Sequence, residues 1–156
     1  MKKFKLYSGE IIDDLGEYIN DYLSEFPEAG IYIGTDSVDR YDTIYVSVVV
    51  FRHERKGAHV IFRKEHEKKS PDLFTKLWRE VEKTNDLAHY VLDYMPEGKI
   101  LNVDLDLNSL KRHASNIAHD AGKGYLIGTL SQTGKAFNVR SKPQAWSASR
   151  AADHLL

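Results

Sequence analysis

Residues 30–37 read Gly30-Ile31-Tyr32-Ile33-Gly34-Thr35-Asp36-Ser37, an apolar run that ends in an acid and a hydroxyl. The β-branched and aromatic side chains and the short length of the run predict a mostly buried strand. An aspartate at this position can open the turn that follows a strand. It can also belong to a site at the end of a sheet strand. The run by itself leaves both interpretations open.

A second apolar run ends in the same way. Residues 100–106 read Ile100-Leu101-Asn102-Val103-Asp104-Leu105-Asp106, which predicts a strand with Asp106 at its end. Asp104 and Asp106 are two residues apart and therefore face the same side of that strand. If the strands that carry Asp36 and Asp106 are parallel neighbours, their carboxyl ends coincide, and open sheets place their sites at such ends.

Two further acids lie on predicted helices. Glu80 shares a helical face with Leu77 and Thr84, so we expect it to point inward. A buried acid is costly unless it is paired or binds a metal, and an ion pair with an arginine is the alternative. Asp153 lies on a terminal helix that Pro143 begins. Taken singly, Asp153 could also be an ordinary helix-end residue.

The 156 residues predict a single α/β domain over 1–156. An extra N-terminal helix is expected over about 8–26, with Ser8 as a possible N-cap. Closely spaced strands, followed by a strand–helix–strand crossover, predict a mixed sheet flanked by helices. The remaining predicted elements are strands at 30–37, 43–52 and 58–64, a helix from Pro71-Asp72, a strand at 99–105, a helix at 110–127, a strand at 136–139 and a helix from Pro143.

Composition narrows the functional classes. The net charge is −1, from 22 basic and 23 acidic residues, so the chain lacks the overall basicity of many nucleic-acid binders. Basic residues are nonetheless concentrated in 52–69 and 135–142, either as solvated strand ends or as a phosphate-contacting surface. The absence of cysteine excludes disulfides and thiolate zinc sites. No apolar stretch reaches membrane-spanning length, so we expect a soluble, cytoplasmic protein with no membrane contact.

Other site motifs are missing. The seven histidines have no convincing metal-ligand spacing, and Gly122, Gly124 and Gly128 do not form a dinucleotide fingerprint. There is neither a Ser-His-Asp pattern nor a phosphate loop. The acids remain as the candidate site. Clustered carboxylates repel one another, and divalent cations reverse that repulsion.

The chain resembles the YkuK-type family of bacterial and phage proteins, a branch of the ribonuclease H-like superfamily. The similarity runs from about Ile31 to Asp153. Its markers are Tyr32-Ile33-Gly34-Thr35-Asp36-Ser37, Lys56-Gly57-Ala58-His59 with Phe62-Arg63-Lys64, Leu105-Asp106-Leu107-Asn108 with Ser115-Asn116, and Lys142-Pro143 through Trp146, Ala148-Ser149 and Ala152-Asp153.

This resemblance implies a five-stranded mixed sheet in the order 3-2-1-4-5 with helices on both faces. It places Asp36, Glu80, Asp106 and Asp153 at the four acidic positions that hold two magnesium or manganese ions in active superfamily members. The chain departs from the family pattern in two places. Residues 129–135 are expected to form a lengthened connection, and Asp104 adds an acid beside Asp106.

The resemblance favours a divalent-metal-dependent nuclease that hydrolyses phosphodiester bonds in RNA, an RNA–DNA hybrid or branched DNA. Asp36 would bridge both ions, Glu80 and Asp106 would hold one, and Asp153 the other. The ions would activate a water and stabilise the leaving 3′ oxygen. Four more side chains are expected to position the phosphate backbone: Ser37, Arg63, Arg140 and Lys142.

The alternative is a catalytically silent ribonuclease H-like module that binds nucleic acid, a nucleotide or a protein partner. The near-neutral charge favours this alternative, whereas the complete set of acids opposes it. A nucleotide phosphatase is a weaker third hypothesis. The sequence does not indicate whether the protein is a monomer or an oligomer.

Overall fold

The computed structural model describes residues 2–105, 113–141 and 155. These residues contain three helices and five strands in the order predicted for an α/β domain. The elements are α1 (Leu15–Glu25), β1 (Gly30–Asp39), β2 (Thr43–His53), β3 (Gly57–Glu67), α2 (Leu73–Leu92), β4 (Leu101–Leu105), α3 (His113–Ser131) and β5 (Phe137–Ser141).

The five strands form one mixed sheet in the order β3-β2-β1-β4-β5. β2 is antiparallel to both β1 and β3, because short polar turns join these strands. Gly57 closes the second turn with a φ of 84°, a conformation that glycine adopts without strain. β4 is parallel to both β1 and β5, since helices make the crossovers between these strands. The predicted mixed sheet and its strand order are confirmed.

The sheet has two different faces. On the helix face, Ile33, Val49 and Phe51 belong to one buried cluster with side chains from α1, α2 and α3. On the opposite face, which we call the valine face, Val46, Val48, Val50 and Phe62 form a second cluster that Leu155 packs against. Alternation along each strand therefore assigns every sheet residue to one of two environments.

α2 begins where the sequence predicts. The Asp72 carboxylate accepts a hydrogen bond from the Thr75 backbone N–H at 2.7 Å, and this N-cap satisfies a donor in the first turn. Its inner stripe, with Val81, Ala88 and Val91, is fully buried against the sheet. Burial of such side chains, rather than local helix propensity, accounts for most of the stability of a surface helix.

The predicted N-terminal helix over 8–26 is wrong in its first turns. α1 begins at Leu15, and Asp14 caps it by accepting a 3.0 Å hydrogen bond from the Glu17 backbone N–H. Gly9, with a φ of 92°, instead turns the preceding segment back on itself. The Ile12 N–H then donates to the Phe4 carbonyl at 2.9 Å, so Ile12 reaches the core from extended backbone.

α3 continues to Ser131, four residues beyond the predicted end, because Leu126 and Leu130 are buried in the core. Gly134, with a φ of 68°, forms the turn before β5. The lengthened connection predicted at 129–135 is wrong, since its first three residues belong to the helix. The predicted terminal helix lies outside the described residues except for Leu155. Among the described residues, every helix is too short or too polar to span a membrane.

Candidate active site

Asp36 lies within β1 rather than at its end. The strand continues to Asp39, and the chain turns only at residues 40–42. The interpretation of Asp36 as a turn-opening residue is therefore wrong. Asp36 is paired across the sheet with Val46, so it belongs to the valine face, where it is half-buried.

Ser37 contacts two acids that come from different elements. Its backbone N–H donates to Asp36 Oδ1 at 2.8 Å, which turns the aspartate side chain along the strand. Its hydroxyl donates to Glu80 Oε2 on α2. Alternation places Asp36 on the valine face and Ser37 on the helix face, where α2 packs, yet Ser37 lies within hydrogen-bond distance of both carboxylates.

Glu80 occupies the buried stripe of α2, as the sequence predicts, and is only 5% exposed. The carboxylates of Glu80 and Glu67 both interact electrostatically with the nearby Tyr45 phenol. Burial first, and then these two carboxylates, raise the pKa of the Tyr45 phenol above its ordinary value. The Arg79 guanidinium acts in the opposite direction, and the Lys83 ammonium lies 5.2 Å from the centre of the Tyr45 ring, so both carboxylates and cations surround this phenol.

Asp104 is held by Arg140 in a buried ion pair. Arg140 Nε donates to Asp104 Oδ1 at 2.9 Å and Arg140 Nη2 to Oδ2 at 3.1 Å. The Asp104 side chain is completely buried, and the guanidinium lies over the Tyr32 ring at 4.7 Å. This bidentate pair ties β4 to β5. Arg140, which the sequence predicts as a phosphate contact, here neutralises the extra acid of β4.

Arg63, which the sequence predicts as a phosphate contact, lies on the helix face of β3, whereas Asp36 lies on the valine face. The partner of Arg63 across β2 is Ser47, which places Arg63 on the helix face. The Arg63 Nε atom lies 3.3 Å from Glu65 Oε1, and the guanidinium lies over the Phe4 ring at 4.9 Å. Arg63 thus contributes to the packing of the N-terminal segment, on the opposite side of the sheet from Asp36.

Three predicted site residues, Asp106, Lys142 and Asp153, lie outside the described residues. Within 2–105 and 113–141, no three histidine, aspartate or glutamate side chains gather closely enough to hold a metal ion. Of the four predicted acids, the described residues include Asp36 and Glu80, and each accepts a hydrogen bond from Ser37.

The sequence analysis misses an ion-pair network between β3 and α2. Arg79 donates to both Glu67 oxygens at 2.9 Å, and Lys83 Nζ lies 3.0 Å from Glu65 Oε1 and 2.9 Å from Glu67 Oε2. The hydrogen bonds from Arg79 above all lower the pKa of Glu67 to about 2. Acids two apart on a strand and cations four apart on a helix are the signal that predicts such a network.

The fold resembles several solved nucleic-acid enzymes at low sequence identity. It matches a Thermus thermophilus RuvC bound to a Holliday junction substrate (15% identity, 74% of this chain, 66% of that chain, TM-score 0.39). A second RuvC structure from that organism matches at 13% identity over 71% of this chain and 63% of that chain (TM-score 0.38). LC11-RNase H1 bound to an RNA/DNA hybrid matches at 14% identity over 80% of this chain and 94% of that chain (TM-score 0.33).

This chain spans about two thirds of the length of the RuvC chains. No curated protein matches its sequence. The sequence profile of the family described as "Ribonuclease H-like" matches residues 10–155, which is nearly the whole chain. The resemblance noted in the sequence is confirmed, and the chain belongs to the ribonuclease H-like family.

Proposed function

We propose that this protein is a divalent-metal-dependent nuclease that hydrolyses phosphodiester bonds in RNA, an RNA–DNA hybrid or branched DNA. Asp36, Glu80, Asp106 and Asp153 would hold two Mg²⁺ or Mn²⁺ ions. The observation that carries the proposal is that Ser37 contacts the carboxylates of both Asp36 and Glu80. Membership of the ribonuclease H-like family supports it.

The chemistry of the donor set fits such ions. All four proposed ligands are carboxylates, and hard divalent cations prefer oxygen donors of this kind. Gly34 of β1 is paired with Asp104 of β4. In the sequence, Asp36 follows Gly34 by two residues, and Asp106 follows Asp104 by two residues. When bound, the ions would supply Lewis-acid stabilisation and a water of lowered pKa.

Ser37 takes a different role from the phosphate contact predicted for it. Because its N–H and its hydroxyl engage one carboxylate each, we assign it as a positioning residue that fixes Glu80 relative to β1. Second-layer hydrogen bonds of this kind orient metal ligands. Lys142 remains a proposed phosphate contact. Arg63 and Arg140 are not retained in that role, since Glu65 and Asp104 engage them.

The direct test is the substitution Asp36→Asn, assayed with RNA–DNA hybrid, single-stranded RNA and branched DNA in Mg²⁺ and in Mn²⁺. We expect cleavage to fall to background, because an amide is a poor ligand for a hard cation. Asp39→Asn is the matched control, since Asp39 lies on the same strand but contacts Thr43 and Lys76. An Asp36→Asn protein that cleaves as fast as the wild type would overturn the proposal.

The catalytically silent module is the second candidate, and the near-neutral net charge of −1 favours it. Calorimetry with Mn²⁺ separates the two. A nuclease should take up Mn²⁺ in the micromolar to millimolar range and lose that uptake on Glu80→Gln. Glu82→Gln is the control, because Glu82 is on the outer side of the same helix and is 45% exposed. If the wild-type protein takes up no Mn²⁺, the nuclease proposal is contradicted and the catalytically silent binding module is favoured.

A further inference from the structure

We propose that the valine face beyond Asp36 binds a single nucleic-acid strand, with Lys64 holding a phosphate next to the one at the acidic site. This inference rests on the proposed function and adds the substrate's path across the sheet. It follows from where alternation places the charges of β3.

Lys64 lies in the same row of the sheet as Asp36. Asp36 is paired with Val46 of β2, and Val46 is paired with Lys64 of β3. Directly opposed residues share a face, so Asp36 and Lys64 both lie on the valine face. Two strand spacings separate their Cα atoms by about 10 Å. An extended lysine side chain covers a large part of that separation.

The charged side chains on the two sides of β3 differ in whether they form ion pairs with other described residues. On the helix face, Glu65 and Glu67 are matched by Arg63, Arg79 and Lys83. On the valine face, Lys64 has no ion pair with any of the described residues. A cation that is not neutralised within the protein attracts phosphate by releasing the counterions of the nucleic acid. Among the described residues, Lys64 is therefore a cation in the row of Asp36 that has no acidic partner, and its side chain is partly exposed.

A second lysine, Lys5, lies beside the edge strand β3 on the same face as Lys64. Lys5 is paired with Phe62, and its ammonium lies 5.4 Å from the centre of the Phe62 ring. Phe62 is two residues before Lys64 and belongs to the valine cluster. Lys5 and Lys64 thus lie on the same face, on neighbouring segments.

The next pair of residues on the valine face, two positions beyond Asp36 along β1, is apolar. Val38 is paired with Ile44, both lie on the valine face, and both are partly exposed. At the end of this row His66 contacts Asp42. Unpaired bases of a single strand can bury part of their apolar surface against these aliphatic side chains. A duplex keeps its bases stacked inside and gains nothing from such a contact.

Fluorescence anisotropy tests this path with a labelled 20-nucleotide single strand and the corresponding duplex, in EDTA so that nothing is cleaved. We expect Lys64→Gln to weaken single-strand binding by roughly three- to tenfold and to lower the salt slope by about 0.7. Lys64→Arg should retain binding. Lys56→Gln is the matched control, because Lys56 is exposed in the turn at the opposite end of β3. The wild type should also prefer the single strand to the duplex.

Three results would overturn the inference. If Lys64→Gln binds like Lys56→Gln with an unchanged salt slope, Lys64 holds no phosphate, although the nuclease proposal stands where cleavage is seen. Equal affinity for duplex and single strand would contradict the single-strand path. A wild type that binds neither ligand and cleaves no substrate would overturn the inference together with the proposed function. Circular dichroism of each variant checks that the fold is retained.

Discussion

The two faces of the sheet use charge in opposite ways, although the same strands supply both. On the helix face, the acids at the end of β3 are matched by cations of α2 in a network that fastens the helix to the sheet. On the valine face, one buried pair, Asp104 with Arg140, joins two strands, while Asp36 and Lys64 lie further along. A period of two thus divides one charged strand between side chains that form ion pairs with a helix and side chains that we propose contact a substrate.

The largest effect is expected from Arg140→Met on the valine face. The substitution leaves the buried Asp104 carboxylate without its bidentate partner, so the free energy of unfolding should fall by about 3–5 kcal/mol. Urea denaturation measures the loss. The double variant Asp104→Leu with Arg140→Met should recover most of it, because no buried charge then remains.

Arg79→Met is the corresponding change on the helix face and should cost about 1 kcal/mol, since the Arg79 side chain is 37% exposed and Lys83 still contacts Glu67. An equal loss in the two arginine variants would remove the energetic distinction between the faces.

A smaller effect is expected where Ser37 joins the two faces. Ser37→Ala removes the hydroxyl that contacts Glu80, so the cleavage rate and Mn²⁺ affinity should fall by roughly 10–100-fold. Ser37→Thr keeps a hydroxyl and should restore most of both quantities. If Ser37→Ala lowers the melting temperature but leaves Mn²⁺ affinity unchanged, Ser37 is a packing residue only.

A further modest effect concerns the pH dependence of the helix-face network. The pKa of Glu67 is about 2 in the folded protein and 4.5 as its ordinary value, so the unfolded chain binds the proton first as pH falls. The contribution of Glu67 is therefore complete above about pH 4.5 and is lost as pH falls towards 2. Because the side chain is 32% exposed, we expect about 1–2 kcal/mol rather than the full value of the shift.

Urea denaturation at pH 7 and pH 3 measures this contribution. Glu67→Gln should show a smaller loss of stability between the two pH values than the wild type. Glu54→Gln, an exposed position in the β2–β3 turn, should behave like the wild type. If Glu67→Gln loses as much stability as the wild type, the acid sensitivity arises elsewhere.

The sheet and its acidic strands follow from local sequence, whereas the starts and ends of several elements do not. The runs that end in Asp36 and Asp106 are apolar and bounded by turn residues, so they predict the two parallel strands. Ile11 and Ile12 continue the spacing of α1, yet Gly9 bends the chain and Ile12 is buried from extended backbone. A glycine turn of this kind leaves no periodic signal.

The site is predictable in its residue types but not in its contacts. The inward position of Glu80 follows from its helical stripe, and the face of Lys64 follows from alternation once β3 is known. The pairing of Asp104 with Arg140 depends on the parallel register of β4 and β5, which the intervening helix sets. The link through Ser37 likewise depends on how α2 packs across β1. Such tertiary contacts are not encoded in any local pattern.

The proposed nuclease activity requires that Asp36 and Glu80 bind divalent cations. Anomalous diffraction from a crystal of the protein soaked in Mn²⁺ measures this most directly. We predict manganese peaks at the carboxylates of Asp36 and Glu80, beside Ser37, with Asp106 and Asp153 completing the ligands. A crystal that takes up Mn²⁺ only at other positions, or shows no peak at millimolar Mn²⁺, would contradict the account.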